Sequence, residues 1–140
     1  MSRGRKIAAK WGELLKREGA RRATSFRAAF SGLRRVVTSE RHFQLHLIAA
    51  TCAVILAVFL GFSRLEWTIL ILTIGLVLVA EGLNSAIERA IDTTTPSFHP
   101  SAKAAKDIAA AAVLIAAIAS VVIGLLLYVP KLWALLSARH

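Results

Sequence analysis

Apolar and polar residues sort along this chain into one amphipathic stretch and three long apolar ones. Thr24-Ser25 suits a helix N-cap, and Phe26, Phe30, Leu33 and Val37 then recur at intervals of four, three and four. That spacing gathers all four on one helical face, with Arg27, Arg34 and Arg35 off it. The pattern predicts an amphipathic helix over 24–38, lying in a membrane interface or packed on the protein itself. Three apolar segments follow: 45–62, interrupted by His46; 67–80, which then meets Glu81; and 108–129, 22 residues without a charge. As helices the first and third reach across about 30 Å of hydrocarbon. The second does so only if it continues through Glu81 towards Asp92. The expected fold class is therefore all-α and integral to a membrane, with three transmembrane helices over about 43–62, 66–92 and 103–129 and an N-terminal surface helix.

Composition agrees with that reading and adds an orientation. Of 140 residues 56% are hydrophobic, above the share usual in soluble domains and far from disorder. Of 18 Lys and Arg, 12 lie in residues 1–45 against Glu13, Glu18 and Glu40, so the first third carries +9 of the net +10. Residues 1–22 form a basic arm suited to anionic lipid headgroups or to water. Placing the N-terminus and the 93–102 loop on one side assigns it 15 Lys/Arg, leaving 3 for the other. The expected topology is an N-terminus in the cytoplasm and a C-terminus outside. The lone Cys52 excludes a disulfide framework and a cysteine zinc site. A stripe of small residues, Ala112, Ala116, Ser120 and Gly124, would admit a close helix neighbour.

The candidate chemistry begins where the second apolar segment ends. On a helix, Asn84, Ser85, Glu88 and Asp92 fall within about 60° of Glu81. Glu81 then lies roughly 12 Å deeper than Arg89. An acid inside a span is costly unless paired or hydrated. Two explanations fit three acids on one stripe: a relay of protonated carboxylates, or a divalent metal with basic partners. Lys103, Lys106 and Asp107 open the third span, with Lys103 in helical contact range of the other two. Lysines beside acids suit a phosphate-bearing ligand with Mg²⁺; a snorkelling ion pair at a helix end is the plainer reading. Glu40, just ahead of the first span, joins the acids from the same side or stays an exposed acid in a basic segment. His42 and His46 have metal-ligand spacing but no third ligand nearby. No glycine-rich phosphate loop occurs.

These residues resemble the small integral-membrane prokaryotic diacylglycerol kinases, and within them the branch of Gram-positive undecaprenol kinases. The likeness is carried by Glu81-Gly82-Leu83-Asn84-Ser85-Ala86-Ile87-Glu88 with Asp92, and by Ala105-Lys106-Asp107-Ile108-Ala109-Ala110. Phe98-His99-Pro100, Gly32-Leu33-Arg34 and Glu40 add to it, and it covers about residues 24–130. His42 and Ala111 depart from that branch, which commonly has Asn and Gly there. The resemblance implies a homotrimer in the bacterial plasma membrane, with sites shared between neighbouring chains. It also implies transfer of the ATP γ-phosphate to a lipid hydroxyl, either undecaprenol or diacylglycerol. On the same ground Glu81 is expected as general base, Glu40 and Glu88 as metal carboxylates, Asn84 and Asp92 as polar site residues, and Lys106 with Asp107, aided by Lys103, as the nucleotide-phosphate group. Residues 1–22 stand apart from a kinase region over 23–140. No nucleic-acid partner is expected. Two other classes stay open: a proton-coupled transporter subunit relaying through Glu81, and an adaptor whose basic arm binds lipid or nucleic acid.

Overall fold

The computed structural model describes residues 3–95 and 97–137, and of residues 3–10, 12 and 14–16 the backbone alone. Four helices follow one another: α1 (Arg3–Ser39), α2 (Arg41–Phe59), α3 (Arg64–Thr94) and α4 (Pro100–Ser137). The chain divides into two compact units, 1–39 and 40–140. Helices α2, α3 and α4 are each long and apolar enough to cross a membrane, and α1 lies outside that set.

The first unit corrects one expectation. Thr24 and Ser25 do not start a helix; their hydroxyls donate to the carbonyls of Ala20 (2.9 Å) and Arg21 (3.0 Å), one turn back. Hydroxyls satisfied in this way are tolerated inside a helix, and the Ala, Lys, Arg, Glu and Leu upstream are good helix formers. The helix therefore begins at Arg3 rather than near 24. On this longer helix Trp11 falls within about 60° of Phe26 and Leu33. Trp11, Phe26, Phe30 and Leu33 are all exposed, so the apolar face extends well upstream of the stretch that revealed it.

In the second unit a tight turn joins α2 to α3. Gly61 takes the left-handed conformation (φ 63°), which costs a residue with a Cβ about 1–2 kcal/mol. The Gly61 N–H donates to Val58 O (3.2 Å) and the Phe62 N–H to Ala57 O (3.2 Å), the two bonds of a Schellman motif. Helix α2 consequently stops at Phe59, short of the 62 expected. Ser63 then caps α3 in a capping box: its Oγ accepts from the Glu66 N–H (3.4 Å), and its own N–H donates to Glu66 Oε2 (2.6 Å).

Helix α3 is the inner helix, packed against both α2 and α4. Its buried residues are Leu70, Val77, Glu81, Asn84 and Ser85, a single helical stripe that turns from apolar to polar at Glu81. At its apolar end Ala57, Phe62 and Leu70 form a core enclosed by Trp67, Leu127 and Tyr128. Tyr128 Oη donates to Ala53 O at 2.7 Å, so the buried phenol is satisfied. Helix α4 buries Ala109 and Ala116, with Ser120 and Gly124 half-buried and Ala112 exposed; the small-residue stripe is thus centred on the buried face, with one edge open. It also continues past 129 through Pro130 to Ser137, although that proline leaves the Leu126 carbonyl without its usual donor.

Candidate functional site

The polar half of the α3 stripe is the unusual feature of the second unit. Glu81 is 4% exposed, Ser85 3% and Asn84 8%. Asn84 Nδ2 donates to Glu88 Oε1 at 3.2 Å, one turn along the helix. The other end of that amide, Asn84 Oδ1, is buried without a partner. Among the described residues Glu81, buried as a residue, has neither a hydrogen bond nor a cation within ion-pair distance, although its oxygens, unlike Asn84 Oδ1, are not fully shut off from solvent. A buried acid left so is destabilising by several kcal/mol if ionised. Folding alone gives no reason for it; a group that must exchange a proton or meet a ligand does.

Around this stripe the helix ends supply charges. Lys106 on α4 reaches across to Asp92 on α3, with Nζ 2.9 and 3.2 Å from its two oxygens. Lys103 pairs with Asp107 along α4 at 2.6 Å. The Asp92, Lys103 and Asp107 side chains are each more than 60% exposed. Ion pairs this wet contribute about 0–1 kcal/mol, so they arrange charge without locking it. Helix α4 is started by His99, whose carbonyl accepts from the Lys103 N–H (3.0 Å) and whose Nδ1 accepts from the Ser101 N–H (3.2 Å). Pro100 occupies the first helical position, where its missing N–H is harmless. The Phe98-His99-Pro100 segment is thus a helix cap that fixes where the two lysines begin.

The structure brings together Asn84 with Glu88, Asp92 with Lys106, and Lys103 with Asp107. Among the described residues no three His, Cys, Asp or Glu side chains converge to hold an ion. Glu40, at the N-cap of α2, is instead engaged by Arg89 of α3, whose Nε lies 3.0 Å from its Oε1 and whose Nη2 also donates to that oxygen. Arg89 is the residue that sequence reasoning missed. It entered only as one more positive charge, because nothing local pairs positions 40 and 89. His42 and His46 form no metal site either; His46 lines a cavity of about 180 Å³ between α2, α3 and α4, with Thr73, Val77, Ser120 and Tyr128.

The sequence pattern of the prokaryotic diacylglycerol kinase family matches residues 27–128, which include both unpartnered groups and all the ion pairs around them. An undecaprenol kinase of Bacillus subtilis is 48% identical over 109 residues, covering 77% of this chain and 88% of that protein. A diacylglycerol kinase of Synechocystis is 39% identical over 113 residues, 80% of this chain and 65% of its own length. The diacylglycerol kinase of Helicobacter pylori strain 26695 is 44% identical over 93 residues, 64% and 73% respectively. With three membrane-length helices and a family pattern that spans residues 27–128, this multi-pass membrane protein belongs to the prokaryotic diacylglycerol kinase family and is a lipid kinase.

Proposed function

We propose that the chain transfers the γ-phosphate of ATP to the hydroxyl of undecaprenol, in preference to diacylglycerol, with Glu81 as general base. The observation that carries this reading is Glu81, a buried residue whose carboxylate has no partner among the described residues, on a helix whose neighbouring residues are charged. It takes the proton from the lipid alcohol as the alcohol oxygen bonds to the γ-phosphorus. The bond from that phosphorus to the β-bridging oxygen breaks, and ADP leaves. Lys106 and Lys103 balance charge on the nucleotide phosphates, and Asp92 and Asp107 hold those lysines in reach. Asn84 orients Glu88 through the hydrogen bond described above. The preference for undecaprenol is supported by the identity to the Bacillus subtilis enzyme of that name.

The donor set suits Mg²⁺. Glu40 and Glu88 offer hard carboxylate oxygens and Asn84 an unpartnered amide oxygen, and Mg²⁺ commonly takes only one or two protein carboxylates beside substrate phosphates. In this proposal Glu40 and Glu88 hold the ion, which supplies neutralisation of charge on the phosphoryl oxygens when bound. Among the described residues no three potential metal-ligating side chains converge, and a homotrimer with sites completed between neighbours would bring further carboxylates to each site. The Lys/Arg distribution supports an N-terminus in the cytoplasm and a C-terminus outside, in the bacterial plasma membrane. The basic face of α1, opposite its aromatic one, supports contact with anionic headgroups rather than nucleic acid. Residues 1–22 act there, and the region 23–140 carries the chemistry.

The test offers undecaprenol and diacylglycerol in parallel in mixed micelles with labelled ATP, with Mg²⁺ and with chelator, for wild type and Glu81→Gln. Mg²⁺-dependent product, faster with undecaprenol and lost in the variant, is the expected result. Faster phosphorylation of diacylglycerol overturns the acceptor, and full activity of Glu81→Gln overturns the base.

A further inference from the structure

We infer that Arg89 is a positioning residue for Glu40, a latch that holds its carboxylate until a divalent cation arriving with nucleotide displaces it. Glu40 sits at the N-cap of α2 but makes no side-chain cap bond to its own helix. Its carboxylate turns instead to α3, across 49 residues of sequence, where two nitrogens of Arg89 donate to the same oxygen, Oε1. Among the described residues this is the one ion pair that joins the start of α2 to α3. Arg89 follows Glu88 in sequence, so the pair brings Glu40 to the same turn of α3 as the second carboxylate proposed to hold the metal.

The consequences follow from charge. A guanidinium on Oε1 occupies an oxygen that a dication would use and repels the dication itself. The pair is nevertheless weak. The Arg89 side chain is 47% exposed and that of Glu40 25%, and a pair so hydrated favours the closed arrangement by a factor of about five at most. A divalent ion brought in by ATP can therefore displace Arg89, whose fork of N–H donors is then free for a phosphate oxygen. Arg89 thus weakens cation binding when no nucleotide is present and strengthens nucleotide binding when cation is, which makes the two bind together.

This latch rests on the assignment of Glu40 to the cation, and the experiment separates the two. Mn²⁺ binding to the full-length protein in detergent micelles is followed by electron paramagnetic resonance, with and without a non-hydrolysable ATP analogue. Wild type, Arg89→Ala, Arg89→Gln, Arg89→Lys and Glu40→Gln are compared, together with KM and kcat for Mg-ATP. Without nucleotide, Arg89→Ala and Arg89→Gln bind Mn²⁺ about fivefold more tightly than wild type, the factor the pair supplies. Their KM for Mg-ATP rises while kcat stays within about twofold, and Arg89→Lys restores most of both properties. Arg89→Gln keeps the readout if the alanine variant does not fold. Unchanged or weaker Mn²⁺ binding in both neutral variants overturns the latch. Wild-type Mn²⁺ binding by Glu40→Gln overturns the cation assignment instead.

Discussion

The two ends of helix α3 are built on opposite rules. At the Phe62 end the acid, the lysine and the phenol each have a partner. Glu66 closes the capping box with Ser63 and meets Lys131 at 3.1 Å, and Lys131 Nζ lies 5.9 Å from the centre of the Phe62 ring. Phe62 packs on Tyr128 with ring centres 4.9 Å apart and on Trp67 edge-to-face at 6.2 Å. At the Glu81 end the buried Asn84 amide oxygen has no partner, Glu81 makes no ion pair or hydrogen bond among the described residues, and the ion pairs around them are half in water. One end is closed by hydrogen bonds and rings and holds the helices in register. The other leaves its polar groups unsatisfied in a place where that is destabilising, which is the signature of a site rather than a core.

If that contrast is right, substitutions at the two ends should separate activity from stability. The largest effect belongs to Glu81→Gln. If Glu81 is the base proposed above, its loss lowers kcat by at least about a hundredfold, while exchanging a buried acid without a partner for a neutral amide of the same size does not lower the thermal unfolding temperature in micelles. A variant that lost both activity and stability would make Glu81 structural and erase the contrast. Lys106→Met comes next. Losing a charged hydrogen-bonding partner for phosphate raises KM for Mg-ATP about tenfold, with less effect on unfolding because its pair with Asp92 is mostly exposed.

The same logic reverses at the closed end. Gly61→Ala meets no neighbouring atom within 4 Å, so its cost is backbone conformation alone, about 1–2 kcal/mol from the left-handed φ. Unfolding should come earlier while kcat for the remaining folded enzyme stays unchanged. A fall in kcat per folded molecule would mean that the turn transmits to the site and that the ends are not independent.

How much of this was legible in the sequence depends on the distance over which each feature is written. The stripe from Glu81 to Asp92 and the Lys103–Asp107 pair repeat at helical spacing, so periodicity reveals both. The Asp92–Lys106 and Glu40–Arg89 pairs join positions 14 and 49 apart, and only the packing of one helix on another decides them. The start of α1 was misplaced for a local reason: Thr and Ser ahead of an apolar run look like a cap, yet here both hydroxyls bond back into a helix already formed.

The smallest effect probes how the site end is held in place at all. His99 caps α4 through Nδ1, and that cap sets the first turn from which Lys103 and Lys106 project. His99→Ala removes the acceptor and should lower stability by about 0.5–1 kcal/mol. It should also raise KM for Mg-ATP about twofold as the first turn frays, since the lysines lie one and two turns in. His99→Asn, whose side-chain oxygen can accept the same Ser101 N–H, should restore stability. If Asn restores stability and KM together, the histidine serves the site only as a cap. If it restores stability but leaves KM raised, the imidazole also touches the nucleotide, and the helix start belongs to the open end as well as to the fold.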